Sequence, residues 1–226
     1  MSHTQLFRAA GVAAVVAGLV FVLLQFIHPD ETIPNVTTST WKSVHVLTMA
    51  MAVLALVGIL GIYLRQVRET GPLGLVGVVL YGCGFFIIFG FSFVEAAVLP
   101  QLADTDPRYV ADVMALTATG EAAGEVGGLA VANVGSAVTY LLGGVLFGVA
   151  LWRGRILWRW AAALLVIGAL STVLIRVLPE SLDRLVAIPV GVAWAGLGVS
   201  LWQSTSLRDE SRRPADGGLP GAPAAV

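Results

Sequence analysis

The chain has 226 residues, of which 57% are hydrophobic and 12% are charged, and its formal net charge is −1. Soluble globular domains are usually about 25% charged, so this composition, with a mean hydropathy of +0.87, excludes that class. The near-neutral charge offers no basic surface for nucleic acid, and we expect no nucleic-acid partner.

Six stretches are apolar and long enough to cross a lipid bilayer, which requires about 20 residues. In chain order, they cover residues 9–27, 44–64, 73–99, 127–152, 156–178 and 185–202. The first is longer than the apolar region of a signal peptide and has no small-residue cleavage site after it, so we interpret it as a retained span. The sequence therefore predicts an all-α polytopic membrane helix bundle with six transmembrane helices over residues 1–203.

The basic residues predict the orientation of these spans, because cytoplasmic loops carry an excess of Lys and Arg. With a cytoplasmic N-terminus, nine basic residues fall on the cytoplasmic side: Arg8, Arg65, Arg68, Arg153, Arg155, Arg159, Arg208, Arg212 and Arg213. Four fall on the outer side: Lys42, Arg108, Arg176 and Arg184. We therefore predict cytoplasmic termini and a multi-pass location in the plasma membrane. The predominance of arginine over lysine is typical of a GC-rich genome and favours a bacterial source.

Two further segments can be predicted outside the spans. Asp106 followed by Pro107 is a typical helix start, and apolar residues at helical spacing follow as far as Gly120. We expect a short helix over 107–118 that lies on, or folds into, the outer surface. Residues 204–226 are rich in Pro and Gly and predict a disordered cytoplasmic tail.

Glu95 is the most unusual residue of the chain, because it places a carboxylate inside the outer end of the third span. Exposing an ionisable group to lipid is expensive, so Glu95 should face a partner or a cavity. His45 lies about one turn into the second span from the same side, with Trp41 and Thr48 on its helix face. Arg176 lies at the outer end of the fifth span.

Other polar residues are predicted to lie at a similar depth. Ser92 and Tyr81 share a helix face with Glu95, and Glu121 and Glu125 form an i,i+4 pair at the outer start of the fourth span. Asn133, Ser136 and Tyr140 continue a polar stripe along that span. We predict a pocket in the outer half of the bundle, lined by Glu95, His45, Glu125, Asn133, Tyr140 and Arg176.

The chemistry of these side chains indicates a role for each residue of the predicted pocket. A desolvated carboxyl group can serve as a general acid or base near neutral pH, whereas a carboxylate paired with Arg176 would stay ionised. The catalytic candidates are therefore Glu95, His45 and Arg176, with Glu95 as the essential carboxyl group. The substrate-binding candidates are Trp41, Tyr81, Ser92, Glu125, Asn133 and Tyr140. The alternative is that Glu95 pairs with Arg176 or His45 only to fix helix packing.

We expect no metal ion and no cofactor. His28, His45 and Glu95 could in principle be ligands, but the chain has none of the spacings typical of a metal site. His28 directly precedes Pro29, and we interpret it as a helix-end residue with its ring among the lipid headgroups.

Three classes of function are compatible with this pattern. The leading hypothesis is that the pocket binds a hydrophobic or amphipathic small molecule, with conversion by carboxylate acid–base chemistry as an option, such as cyclisation or isomerisation of an isoprenoid. The second class is a non-catalytic accessory, sensory or structural membrane protein. The third is a small-solute transporter, which is disfavoured because no proline lies near the middle of a predicted span.

The positions of His28-Pro29, of Trp41 and His45, and of Glu95 at three successive helix ends resemble a group of small six-helix integral membrane proteins of high-GC bacteria. No activity is implied by that resemblance. The build is also similar, in general terms, to that of membrane-bound terpenoid cyclases, which protonate their substrates with intramembrane carboxyl groups. The Pro-x-Glu-Glu motif of the lycopene-cyclase type is not matched by Pro29-Asp30-Glu31 or Pro179-Glu180-Ser181. No catalytic residue is carried over from that family.

Overall fold

The computed structural model describes the backbone of residues 3–173 and 184–210, and the side chains of residues 3–173 and 185–205. Within these ranges the protein is all-α and has no β-strand. The helices are α1 (His3–Ile27), α2 (Ile33–Val36), α3 (Ser39–Arg65), α4 (Val67–Phe93), α5 (Leu99–Leu102), α6 (Pro107–Thr119), α7 (Gly128–Gly154), α8 (Arg159–Ser171) and α9 (Ile188–Glu210). A π-helical turn, Val94–Val98, joins α4 to α5, and a 3₁₀ turn, Arg184–Ala187, precedes α9.

In the part of the chain that the structure describes, five helical segments are long and apolar enough to cross a membrane, and they fit a membrane helix bundle. They are His3–Ile27, Ser39–Arg65, Val67–Leu102, Gly128–Gly154 and Leu185–Thr205. Each coincides with a span predicted from the sequence. The remaining predicted span, 156–178, corresponds in its described part to the shorter apolar helix α8.

Helix α9 extends beyond residue 203, where the predicted transmembrane domain ends. The backbone of α9 stays helical through residues 204–210, where the Pro- and Gly-rich composition predicts disorder. The Pro and Gly residues themselves begin only at Pro214, so they do not interrupt this helix. Residues 211–226 of the predicted tail lie outside the described residues.

Six helices pack side by side as a closed ring in the order α1, α3, α4, α7, α8, α9 and back to α1. Neighbouring helices run antiparallel. Gly11 and Gly18 of α1, for example, lie against Gly198 and Gly191 of α9, in the reverse order along the second helix. Because the ring has an even number of alternating helices, the start of α1 and the end of α9 lie at the same end of the bundle.

The α1–α9 contact requires residues without a side chain. A Cβ atom on Gly18 would overlap the carbonyl oxygen of Gly191, and one on Gly11 would lie 2.8 Å from the carbonyl oxygen of Gly198. In a lipid environment helices gain no hydrophobic free energy from associating, so close backbone packing has to supply the attraction. The glycines at this interface provide that close approach.

An aromatic cluster fills the space enclosed by the ring. The ring centroids of Phe85 on α4 and Trp194 on α9 are 4.7 Å apart, and Tyr140 on α7 lies 5.4 Å from Phe85. Tyr81, one turn from Phe85 on α4, is completely buried and contacts the other three rings. Aromatic pairs of this kind contribute about 0.5–1.5 kcal/mol each beyond the area that they bury. The cluster therefore connects helices that are not neighbours in the ring.

Helix α6 occupies the stretch where the sequence predicts a short helix. The side chain of Asp106 caps its start by accepting a hydrogen bond from the backbone N–H of Tyr109 at 3.2 Å. Gly120, in the left-handed conformation (φ 84°), ends it. Its apolar face, which includes Val110 and Val113, is buried in one cluster with side chains of α3, α4 and α5. The helix is therefore packed into the bundle along this face.

We predict that Gly18→Ala destabilises the protein by about 1–3 kcal/mol, because the added methyl group overlaps backbone atoms of α9 that have no room to move. The measurement is the thermal unfolding midpoint in detergent, followed by tryptophan fluorescence. The matched control is Gly90→Ala, since a Cβ atom there meets nothing within 4 Å. An equal effect of both substitutions would contradict the proposed role of close packing between α1 and α9.

Candidate functional site

The centre of the candidate site is a contact between His45 of α3 and Glu95 of the π-helical turn. The Nε2 atom of His45 lies 3.2 Å from the Oε2 atom of Glu95. The His45 side chain is 2% exposed and that of Glu95 is 12% exposed, so the pair is largely shielded from its surroundings. On the other side of the imidazole ring, Nδ1 lies 2.8 Å from the backbone carbonyl oxygen of Trp41.

These two contacts determine how many protons the pair holds. A carbonyl oxygen can only accept a hydrogen bond, so Nδ1 of His45 carries a hydrogen atom and donates it to Trp41. The contact between Nε2 and the carboxyl group of Glu95 then requires one proton between the two groups. That proton belongs either to an imidazolium facing a carboxylate or to a carboxylic acid facing a neutral imidazole. The pair can therefore pass one proton between its members without rearranging.

Trp41 makes a second contact with the site, through its indole N–H, and the backbone around Glu95 explains why. Residues 94–98 adopt the π register, in which the N–H of Leu99 bonds to the carbonyl five residues earlier. In the same register the donor to the Glu95 carbonyl would be residue 100, but this is Pro100, which has no N–H. The indole Nε1 of Trp41 donates to the Glu95 carbonyl instead, at 2.8 Å. Trp41 therefore satisfies the carbonyl group that the proline leaves without a backbone donor.

His28 also belongs to this site, although it is not among the site residues that the sequence predicts. Its ring centroid lies 5.1 Å from that of His45 and 6.2 Å from that of Trp41, and the Trp41 and His45 rings are 4.4 Å apart. The ring therefore packs on the site and lines its cavity. A signal for this was present in the sequence, since Phe21, Gln25 and His28 follow one another at helical spacing on one face of α1.

Two adjoining cavities lie beside the pair. The first, of about 350 Å³, is lined by His45, Glu95 and His28 together with Ser92 and Thr48. The second, of about 540 Å³, has a mainly apolar wall with a few polar side chains, which include Asn133, Ser136, Tyr140, Thr117 and Thr172. Six of the described residues line both cavities: Phe21, Gln25, Ile88, Thr117, Ala118 and Ala187. The two cavities therefore meet at a shared wall.

The structure brings together five of the predicted site residues on these walls. Glu95, His45 and Ser92 line the first cavity, and Asn133 and Tyr140 line the second. The side-chain amide of Asn133 also donates a hydrogen bond to the carbonyl oxygen of Leu116 at 3.1 Å. This bond ties α7 to the end of α6.

Other predicted site residues lie elsewhere. Trp41 is 1% exposed and contacts the His45–Glu95 pair on the side away from the cavities. Tyr81 belongs to the aromatic cluster. Neither residue lines the two cavities. Both residues lie near the predicted faces of their helices, but their side chains are buried in packed regions. Arg176 lies outside the described residues.

The prediction that Glu121 and Glu125 form an i,i+4 pair on a helix is wrong. Helix α7 begins only at Gly128, and both glutamates lie exposed in the connection between α6 and α7. Gly127 has a positive φ of 59°, which no regular helix contains, and this turn delays the helix start. Glu125 consequently lines neither cavity.

Among the residues that the structure describes, no three His, Cys, Asp or Glu side chains are grouped closely enough to hold a metal ion. Comparison with protein families, with curated proteins and with solved structures finds no match to this chain. Its class therefore rests on the fold and the site alone. They define an all-helical bundle suited to a membrane, with a carboxyl–imidazole pair on the wall of an open cavity.

We predict that Trp41→Phe destabilises the protein by about 1–3 kcal/mol, because it leaves the shielded Glu95 carbonyl without a donor. The loss should be smaller in a Pro100→Ala background, where the backbone N–H of residue 100 becomes available to that carbonyl. A double-mutant cycle of unfolding free energies measures this coupling. Trp160→Phe, at an exposed indole, is the matched control. Equal losses in both backgrounds would show that Trp41 does not compensate for the proline.

Proposed function

We propose that this protein is a multi-pass protein of the plasma membrane that binds an amphipathic small molecule in the two adjoining cavities and exchanges a proton with it through Glu95. The observation that carries the proposal is the position of the His45–Glu95 pair on the wall of a cavity within an apolar helix bundle. An ionisable pair at such a depth is expensive to maintain, and this cost is typical of a functional site.

The proposed topology has six spans and two cytoplasmic termini. It is supported by the alternating directions of the six ring helices, in which α8 runs antiparallel to both α7 and α9. The arginines at the start of α1, at the end of α3 and between α7 and α8 all belong to the same end of that ring. An excess of basic residues at one end is typical of the cytoplasmic side. The His45–Glu95 pair then lies in the outer half of the membrane.

The walls of the cavities indicate the chemistry of the ligand. The first cavity holds the charged or protonatable groups His28, Glu31, His45 and Glu95, so it suits the polar end of a ligand. None of the described residues that line the second cavity is charged, and this described wall is mainly apolar, so it suits a hydrocarbon portion. Their volumes fall within the range of about 300–1,000 Å³ that is usual for small-molecule sites. The ligand proposed here is therefore a lipid-soluble molecule with one polar end.

The pair is equipped for acid–base chemistry on that ligand. Glu95 can donate a proton to the ligand when the proton lies on the carboxyl group, and it can accept one when the proton lies on His45. The hydrogen bond from Nδ1 to Trp41 holds the imidazole ring in the orientation that this exchange requires. Protonation of a carbon–carbon double bond or of a carbonyl oxygen, as in cyclisation or isomerisation, is the type of step that such a group supports.

We predict that Glu95→Gln abolishes retention or conversion of the ligand while the protein still folds, because glutamine has nearly the same shape but cannot exchange a proton. The measurement is mass spectrometry of small molecules that co-purify with the wild type and with each variant in mild detergent. Glu125→Gln, at an exposed loop carboxylate, is the matched control and should behave as the wild type.

The outcomes of this experiment separate the three classes of function. A discrete amphiphile in the wild type, replaced by a precursor-like species in Glu95→Gln, supports acid–base conversion. Loss of the amphiphile in the variant, with no new species, supports binding without conversion. Bulk phospholipid alone in all samples, with a lower unfolding midpoint for Glu95→Gln, would assign the pair to helix packing and overturn the proposal.

We further predict that Ala118→Phe reduces ligand retention by at least about tenfold, since Ala118 lines both cavities and a phenyl ring there fills the passage between them. The same substitution at Ala111, which is exposed on α6 and lines neither cavity, is the matched control. The ratio of co-purified amphiphile to protein measures the effect. Equal retention in both variants would show that the ligand does not occupy the junction of the cavities.

A further inference from the structure

A second polar site lies at the opposite end of the bundle, between the end of α7 and the start of α8. Three arginines, Arg153, Arg155 and Arg159, line a cavity of about 490 Å³ together with Val149 and Trp152. We call these five residues the Arg–Trp pocket. None of them belongs to the cavities beside the His45–Glu95 pair.

The backbone explains why the three arginines converge. Arg155 adopts the left-handed conformation (φ 57°) that ends α7 and turns the chain towards α8. Arg159 is the first residue of α8, and its guanidinium group lies 4.7 Å above the centre of the Trp152 ring. This cation–π contact holds Arg159 against α7. The turn between the two helices therefore directs arginines from both of them to one place.

Within the described residues, none of the three arginines forms an ion pair with an Asp or Glu side chain. Glu69 of α4 lies beside Gly154, between Arg153 and Arg155, but does not line the pocket. The start of α8 also has no side-chain cap, so its first backbone N–H groups add to the positive potential there. Three guanidinium groups and a helix N-terminus at one cavity favour an anion, and the fork of an arginine matches phosphate oxygens well.

The apolar part of the pocket indicates an anion that is attached to a lipid. Val149 and Trp152 lie on α7, one of the helices long enough to cross the membrane, so the cavity extends from the arginines along a membrane-spanning surface. Trp152, Trp158 and Trp160 are 41%, 37% and 52% exposed and lie around the same helix ends. Exposed tryptophans at one level are typical of the membrane–water interface. A soluble phosphate would use the arginines but not this apolar wall.

We propose that the Arg–Trp pocket binds the phosphodiester headgroup of an anionic phospholipid, with the acyl chains lying along α7. Basic pockets between transmembrane helices are suited to such headgroups because the local surface potential and the direct guanidinium contacts act together. The site lies at the end of the ring where α1 begins and α9 ends. It is independent of the ligand proposed for the two cavities.

The test is a native mass spectrometry titration of the full-length, delipidated protein with phosphatidylglycerol, with phosphatidylcholine as the zwitterionic reference. We expect phosphatidylglycerol to bind more tightly, and Arg159→Gln to weaken its binding by about fivefold. Substitution of all three arginines by glutamine should weaken it on the order of a hundredfold, to the level of phosphatidylcholine. The matched control is Arg68→Gln, an exposed arginine of α4 at the same end of the ring, which should leave binding unchanged.

Two outcomes would overturn the proposal. Equal losses from Arg68→Gln and Arg159→Gln would mean that only the general surface charge attracts the lipid. Displacement of bound phosphatidylglycerol by an equal concentration of inorganic phosphate would mean that the arginines form a soluble-anion site. Unfolding midpoints measured on the same samples show whether each variant is folded, so a loss of lipid binding can be assigned to the pocket.

Discussion

The hydrogen bond between the indole of Trp41 and the backbone carbonyl of Glu95 is the interaction on which the site depends. Inside a membrane bundle no bulk water is available, and a polar backbone group left without a partner costs about 1–3 kcal/mol. Pro100 removes the donor that the helix would have used, and Trp41 replaces it from the neighbouring helix. This bond holds α3 against the π-helical turn, and that placement brings the Glu95 carboxyl group within hydrogen-bond distance of His45. The bond from Trp41 therefore supports the irregular turn and positions the ionisable pair.

The rest of the bundle provides rigid surroundings for this irregular segment. Glycine contacts between α1 and α9 let their backbones approach closely, and the aromatic cluster joins helices across the ring. Helix α6 covers the region of Trp41 with its apolar face. The two cavities lie beside this segment, and residues of α1, α4 and α6 form the wall that they share.

Two chemically different sites result from the alternating directions of the helices. Helix ends with acidic and imidazole side chains meet at one end of the ring, and helix ends with arginine and tryptophan meet at the other. In a membrane protein these ends face different sides of the bilayer. A protonatable ligand site and an anionic-lipid site at opposite ends would give the bundle separate contacts with each leaflet, one for chemistry and one for anchoring.

The sequence by itself determined the helical class, five of the spans and the start of α6, because apolar length, caps and helix-breaking residues act locally. It also predicted that Glu95 and His45 lie near each other, since an ionisable residue in an apolar run is conspicuous wherever the chain folds. Only the tertiary structure decided that His45 is the partner of Glu95, that His28 joins them, and that Trp41 and Tyr81 are packed rather than lining a cavity. Those facts depend on the rotation and register of one helix against another. Rotation and register are set by glycine contacts and by the π turn before Pro100, which the helical periodicity of the sequence does not encode.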